Sequence, residues 1–129
     1  MARRATRGPT EAELEVLAVL WDRGPSTVRE VNEVLDARKP TGYTTTLKHM
    51  QLMTEKGLLV RDESMRPQVY RPALSKEKTQ KRLVKELLKR AFDGSAAQLV
   101  LRALATEEAR SEELAEIREL LDEMEGDSQ

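Results

Sequence analysis

The segment Tyr43-Thr44-Thr45-Thr46-Leu47-Lys48-His49-Met50-Gln51 gathers short hydroxyls, one ammonium and one carboxamide within nine residues. On a helix, Thr44, Thr45, Lys48 and Gln51 fall on one side, while Leu47, Met50 and Met53 or Thr54 form an inner apolar set. A threonine offers a hydroxyl to a base edge or phosphate and a methyl to thymine. Gln pairs bidentately with adenine, and Lys reaches guanine or phosphate. A threonine run at a helix start also serves as a cap, and for Thr44 alone the two readings weigh the same. Arg66, flanked by Arg61 and Arg71, and the N-terminal Arg3, Arg4 and Arg7 add cations suited to phosphate. Solvated surface charge is the alternative for Arg61 and Arg71, and solubilising charge on a frayed end for the N-terminal arginines.

Catalytic chemistry has no such constellation. With no cysteine, disulfides, thiolate metal sites and cysteine nucleophiles are excluded. The single histidine, His49, lies beside the inner face of the same helix and reads as a partly buried polar residue. No nucleophile, base and orienting group recur together, and neither a glycine-rich phosphate loop nor a histidine-based zinc motif is visible. The acidic residues near the C-terminus stand at helical rather than loop spacing, which argues against calcium. The expectation is a protein with no enzymatic activity, no cofactor and no metal.

The elements that position these residues follow from periodicity. Thr10-Glu11-Ala12-Glu13 is a capping box ahead of Leu14, Leu17, Ala18 and Trp21, predicting a helix from Thr10 to Asp22, stopped at Gly24-Pro25. Thr27-Val28-Arg29-Glu30 repeats the box, and Val28, Val31, Val34 and Leu35 give a second helix its apolar face. After the turn at Arg38-Lys39-Pro40-Thr41-Gly42, a third helix runs from Tyr43 or Thr44 to about Lys56, closed by Gly57. Residues 58–63 and 68–71 then read as two strands around a tip at Ser64-Met65-Arg66-Pro67. Three short helices and a hairpin make a winged helix.

Beyond Pro72 the pattern is helical again: Ser75 to Phe92, Ala96 to Ala105, and Ser111 to Met124, broken at Asp93-Gly94-Ser95. These three amphipathic helices exceed what is needed to cap a 73-residue head, so self-association is the simplest burial for their apolar faces. Leu83, Leu87, Leu99, Leu114, Ile117 and Leu121 are the expected dimerisation residues. The predicted organisation is a basic arm at 1–8, a winged-helix domain at 9–73, a helical dimerisation region at 74–125 and a disordered tail at 126–129. The fold class is mainly α with a small β-wing.

A formal net charge of −1 over 129 residues argues at first against a nucleic-acid partner. The total conceals three blocks: +2 over residues 1–73, +5 over 74–106 and −8 over 107–129. No apolar run is long enough for a membrane span, and no leader pattern opens the chain, so a cytoplasmic protein without a membrane partner is expected.

The ordered series Thr10 to Leu17, Val19-Leu20-Trp21, Thr27 to Val31, Tyr43 to Thr46, Lys56 to Leu59, Tyr70-Arg71-Pro72, the Phe92-x-Gly94-Ser95 break and Ser111 to Leu114 resembles the BlaI/MecI/CopY family of transcriptional repressors. The resemblance covers residue 8 to about 124. It implies a winged helix on double-stranded operator DNA and a homodimer through the C-terminal helices. Base reading then falls on Thr44, Thr45 and Lys48, with Leu47 a further position. In penicillinase repressors a membrane sensor's signal leads to cleavage by a regulatory protease, but Arg102-Ala103 stands where that family has its Asn-Phe pair. Copper-responsive members carry a cysteine pattern absent here, and Leu52 occupies a position where many members are basic. A winged helix that binds protein instead of DNA is the alternative function.

Overall fold

A computed structural model describes residues 8–106 and 109–127. Its elements are α1 (Glu11–Arg23), α2 (Val28–Arg38), α3 (Tyr43–Glu55), β1 (Leu59–Asp62), β2 (Val69–Pro72), α4 (Lys76–Ala91), α5 (Ala96–Thr106) and α6 (Ser111–Asp127). Helices dominate, and the one small sheet among the described residues is the antiparallel pair β1 and β2. This is a winged helix followed by three further helices, as the periodicity predicts.

Both capping boxes form. Thr10 Oγ1 accepts from the Glu13 amide at 3.2 Å while Glu13 Oε1 accepts from the Thr10 amide at 2.9 Å, and Thr27 and Glu30 repeat the exchange at 3.2 and 2.8 Å. Each box satisfies two amides that a helix start otherwise leaves open. Helix α3 ends in a Schellman turn, with Leu58 N donating to Met53 O at 2.8 Å and Gly57 N to Thr54 O at 3.1 Å. The turn requires the left-handed Gly57, at φ 84°.

The core gathers Val16, Leu17, Val19 and Leu20 of α1, Val28, Val31 and Leu35 of α2, Met50 and Met53 of α3, Leu59 of β1 and Tyr70 of β2. As α3 touches α1, α2 and β1, so helix α1 touches α2, α3 and β2. Its buried face is therefore wider than its predicted stripe, and shifted: Val16, Val19 and Leu20 are buried, whereas Ala18 is exposed. In α3 the inner set is likewise corrected. Thr46 is fully buried beside Met50 and Met53, and Leu47 lies half-buried on the flank.

The wing pairs Leu59 with Pro72, Val60 with Arg71, Arg61 with Tyr70 and Asp62 with Val69. A third segment joins it. Ser26, between α1 and α2, donates its amide to Tyr70 O at 3.0 Å and accepts from the Tyr70 amide at 2.8 Å. Trp21 Nε1 donates to Leu74 O at 3.1 Å, and Thr79 is buried, so the start of α4 belongs with the head. The chain divides into two compact units between Val84 and Lys85, inside α4. At the other end α6 continues to Asp127, so residues 126 and 127 are helical and not part of a disordered tail. A single glycine costs a helix only about 1 kcal/mol, and Gly126 does not end this one.

Candidate nucleic-acid interface

Helices α2 and α3 are set at a fixed angle by polar contacts across their turn. Asn32 Nδ2 donates to Thr41 O and to Thr46 Oγ1, both at 2.9 Å, and Thr41 N donates to Asp36 Oδ1 at 2.8 Å. The buried Thr46 hydroxyl thus has a partner, as a polar group removed from water requires. Asn32 was not singled out by periodicity, since it sits off the apolar stripe of α2. A second polar link ties the end of α3 to the buried Glu13 of α1: Lys56 Nζ donates to Glu13 Oε2 at 2.7 Å and to Oε1 at 2.9 Å. Burial by itself raises the Glu13 carboxyl, but the hydrogen bonds from Lys56 and Thr10 and the Lys56 charge outweigh it and hold the group below its ordinary value.

With one side of α3 so anchored, Thr44, Thr45, Lys48 and Gln51 all face solvent. Gly42 is the N-cap and no side chain caps this helix, which removes the capping alternative for Thr44. Among the described residues, none of these four side chains has a hydrogen-bond or ion-pair partner. They are free to bond something outside the chain. Leu52, 46% exposed, continues the same face, and His49 is half-buried beside it, as predicted.

Two residues on the flank carry no strong sequence signal. Arg29, exposed at the start of α2, places its guanidinium 5.6 Å from the centroid of the Tyr43 ring at the start of α3. Both line a cleft of about 330 Å³ shared with Leu47, Pro67 and Gln68, between α3 and the wing. In the sequence the only mark of this pair is an arginine in the first turn of a capped helix.

In the wing, the acidic groups are engaged internally. Asp62 accepts from the Ser64 hydroxyl at 2.6 Å and the Ser64 amide at 3.0 Å, which keeps its carboxyl below the usual range. Glu63 pairs with Arg61 at 2.9 Å, so Arg61 is tied to the hairpin. Arg66 is exposed at the tip and uses Nη1 to hold Glu63 O at 2.8 Å and Met65 O at 3.2 Å. Arg3, Arg4 and Arg7 lie outside the described residues.

The chain's sequence matches the signature of penicillinase repressors over residues 9–123, spanning the winged helix and the helices beyond it. This chain belongs to the penicillinase repressor family. A transcriptional regulator BlaI of Mycobacterium tuberculosis, known from two strains, is 32% identical over 92 residues, which cover 70% of this chain and 67% of the relative. The BlaI/MecI resemblance seen in the sequence is thereby established, and the protein is a transcriptional repressor by family. Within the penicillinase repressor fold, Arg102 and Ala103 lie inside α5 with both side chains exposed.

The helices beyond the head carry the remaining predicted residues. Leu83, Leu99, Leu114 and Ile117 are half-buried, while Leu87 and Leu121 are exposed. Val84, Val100, Leu101, Leu104, Leu120 and Met124 join these last two on the surface, Leu101 at 60% exposure and Met124 at 59%. No residue after Thr79 is buried among those described. The described residues contain no group of His, Cys, Asp and Glu able to hold a metal ion, and no helix long and apolar enough to cross a membrane.

Proposed function

We propose that this repressor acts as a homodimer that reads a pseudo-palindromic operator in double-stranded DNA and blocks transcription by occupying it. The observation that carries the reading is the outward face of α3, where Thr44, Thr45, Lys48 and Gln51 stand exposed and without partners while the opposite face is locked into the core. Inserted in a major groove, this face meets base edges, and Leu52 meets thymine methyls. Arg66 at the wing tip and Arg3, Arg4 and Arg7 on the N-terminal arm contact phosphates and contribute affinity without sequence preference.

Dimerisation rests on the exposed leucines of α4, α5 and α6. Exposed apolar side chains recurring on three amphipathic helices are the kind of surface that association buries. Two heads on one dimer turn two weak half-site contacts into one tight contact, because the second binds at the effective concentration set by the first. Titration of the protein against DNA from upstream of its own gene and against a scrambled duplex tests the proposal. Preference for the upstream fragment, lost in Lys48→Ala, is the expected result. Equal, weak binding to both duplexes identifies instead a winged helix that serves protein contacts.

A further inference from the structure

Helices α4 and α6 each carry a charged stripe that neither the DNA reading nor the apolar dimer uses. Lys78, Arg82, Lys85 and Lys89 recur at intervals of four, three and four on α4, and Glu112, Glu116, Glu119 and Glu123 recur at the same intervals on α6. At 3.6 residues per turn each set occupies an arc of only about 60° and a length of about 16 Å. All eight side chains are exposed, and none takes part in an ion pair among the described residues. On each helix the stripe lies opposite the apolar positions, Leu83 and Leu87 on α4 and Leu114, Ile117 and Leu121 on α6. Burial of the apolar faces in a dimer therefore leaves both stripes turned outward.

We infer that the basic face of α4 docks the acidic face of α6 from a second copy of this chain, joining dimers side by side. The inference rests on the apolar dimer proposed above. Opposite sign, equal length and equal spacing match each cation of one stripe to a carboxylate of the other. Every copy carries both stripes, so each dimer is able both to offer a basic face and to accept one. Such exposed pairs are individually weak and screened by salt. Their contribution becomes large when DNA already holds two dimers on neighbouring sites.

Sedimentation velocity of the full chain tests this, with the ionic strength lowered from about 1 M to about 0.01 M, where the screening length grows from about 3 to about 30 Å. The expected result is a dimer at high salt and a tetramer at low salt. The variant K85E/K89E, and separately E116K/E119K, should remain dimeric at low salt, and an equimolar mixture of the two variants should regain tetramer because each supplies the stripe the other needs. A dimer at every salt concentration, or a mixture that stays dimeric, overturns the inference while leaving the dimer intact. A monomer at every salt concentration overturns the apolar dimer itself and the inference with it. If K85E/K89E keeps the low-salt tetramer but flattens the salt dependence of binding to a random-sequence duplex, the stripe serves DNA phosphates and the inference fails.

Discussion

Lys48 is the only cation on the outward face of α3, and its substitution separates base reading from simple attraction. Lys48→Ala should weaken binding to a preferred site by about 1–3 kcal/mol and narrow the gap to a scrambled duplex, as measured by fluorescence anisotropy. Arg66→Ala should instead weaken all sequences alike and reduce the slope of log K against log salt by about 0.9 per wing. Glu13 makes a different prediction. Its carboxyl is held below the ordinary value of 4.5 in the folded protein, so its stabilising contribution is present above that value and is lost as pH falls through the folded value. Urea denaturation should show Glu13→Gln less stable than the parent at pH 7, with the difference shrinking in acid. The outward quartet of α3 was legible from spacing alone, because a 3.6-residue period assigns both faces once one is known to be apolar. Thr46 and Asn32 were not, since a hydroxyl and a carboxamide enter a core only through a partner distant in sequence.

Elements hold these residues in place through a few contacts whose loss is measurable. Asn32→Ala leaves the Thr46 hydroxyl and the Thr41 carbonyl without their donor. It should cost about 1–3 kcal/mol in chemical denaturation. Gly57→Ala meets no steric neighbour within 4 Å, so its cost is that of a left-handed alanine, about 1–2 kcal/mol. Helix starts were read to within a residue, because the capping boxes at Thr10 and Thr27 are local chemistry. The pairing of Ser26 with Tyr70 was invisible for the opposite reason: a single bridge across 44 positions has no periodicity. The buried face of α1 extends to Val16, Val19 and Leu20 because three elements contact this helix, and Ala18 falls outside the part they cover.

At the scale of the molecule, the near-neutral charge is resolved by partition. The head is modestly basic, and most of the acidic block falls within α6; on the proposed function the head is the part that meets DNA. Leu87→Glu together with Leu121→Glu should convert the dimer to a monomer in sedimentation and lower affinity for a two-fold site much more than for an isolated half-site. The winged helix and the three following helices were both foreseeable from sequence, whereas the bond from Trp21 to the Leu74 carbonyl, which ties the start of α4 to the head, was not, because it joins residues 53 positions apart. The most direct test of a dimeric, sequence-reading repressor is selection from a pool of random duplexes with the full chain, followed by sequencing of the retained DNA. The account predicts enrichment of a two-fold symmetric sequence whose half-site centres lie about 10 base pairs, or a multiple of that, apart. Retention of duplexes with no shared sequence would contradict it.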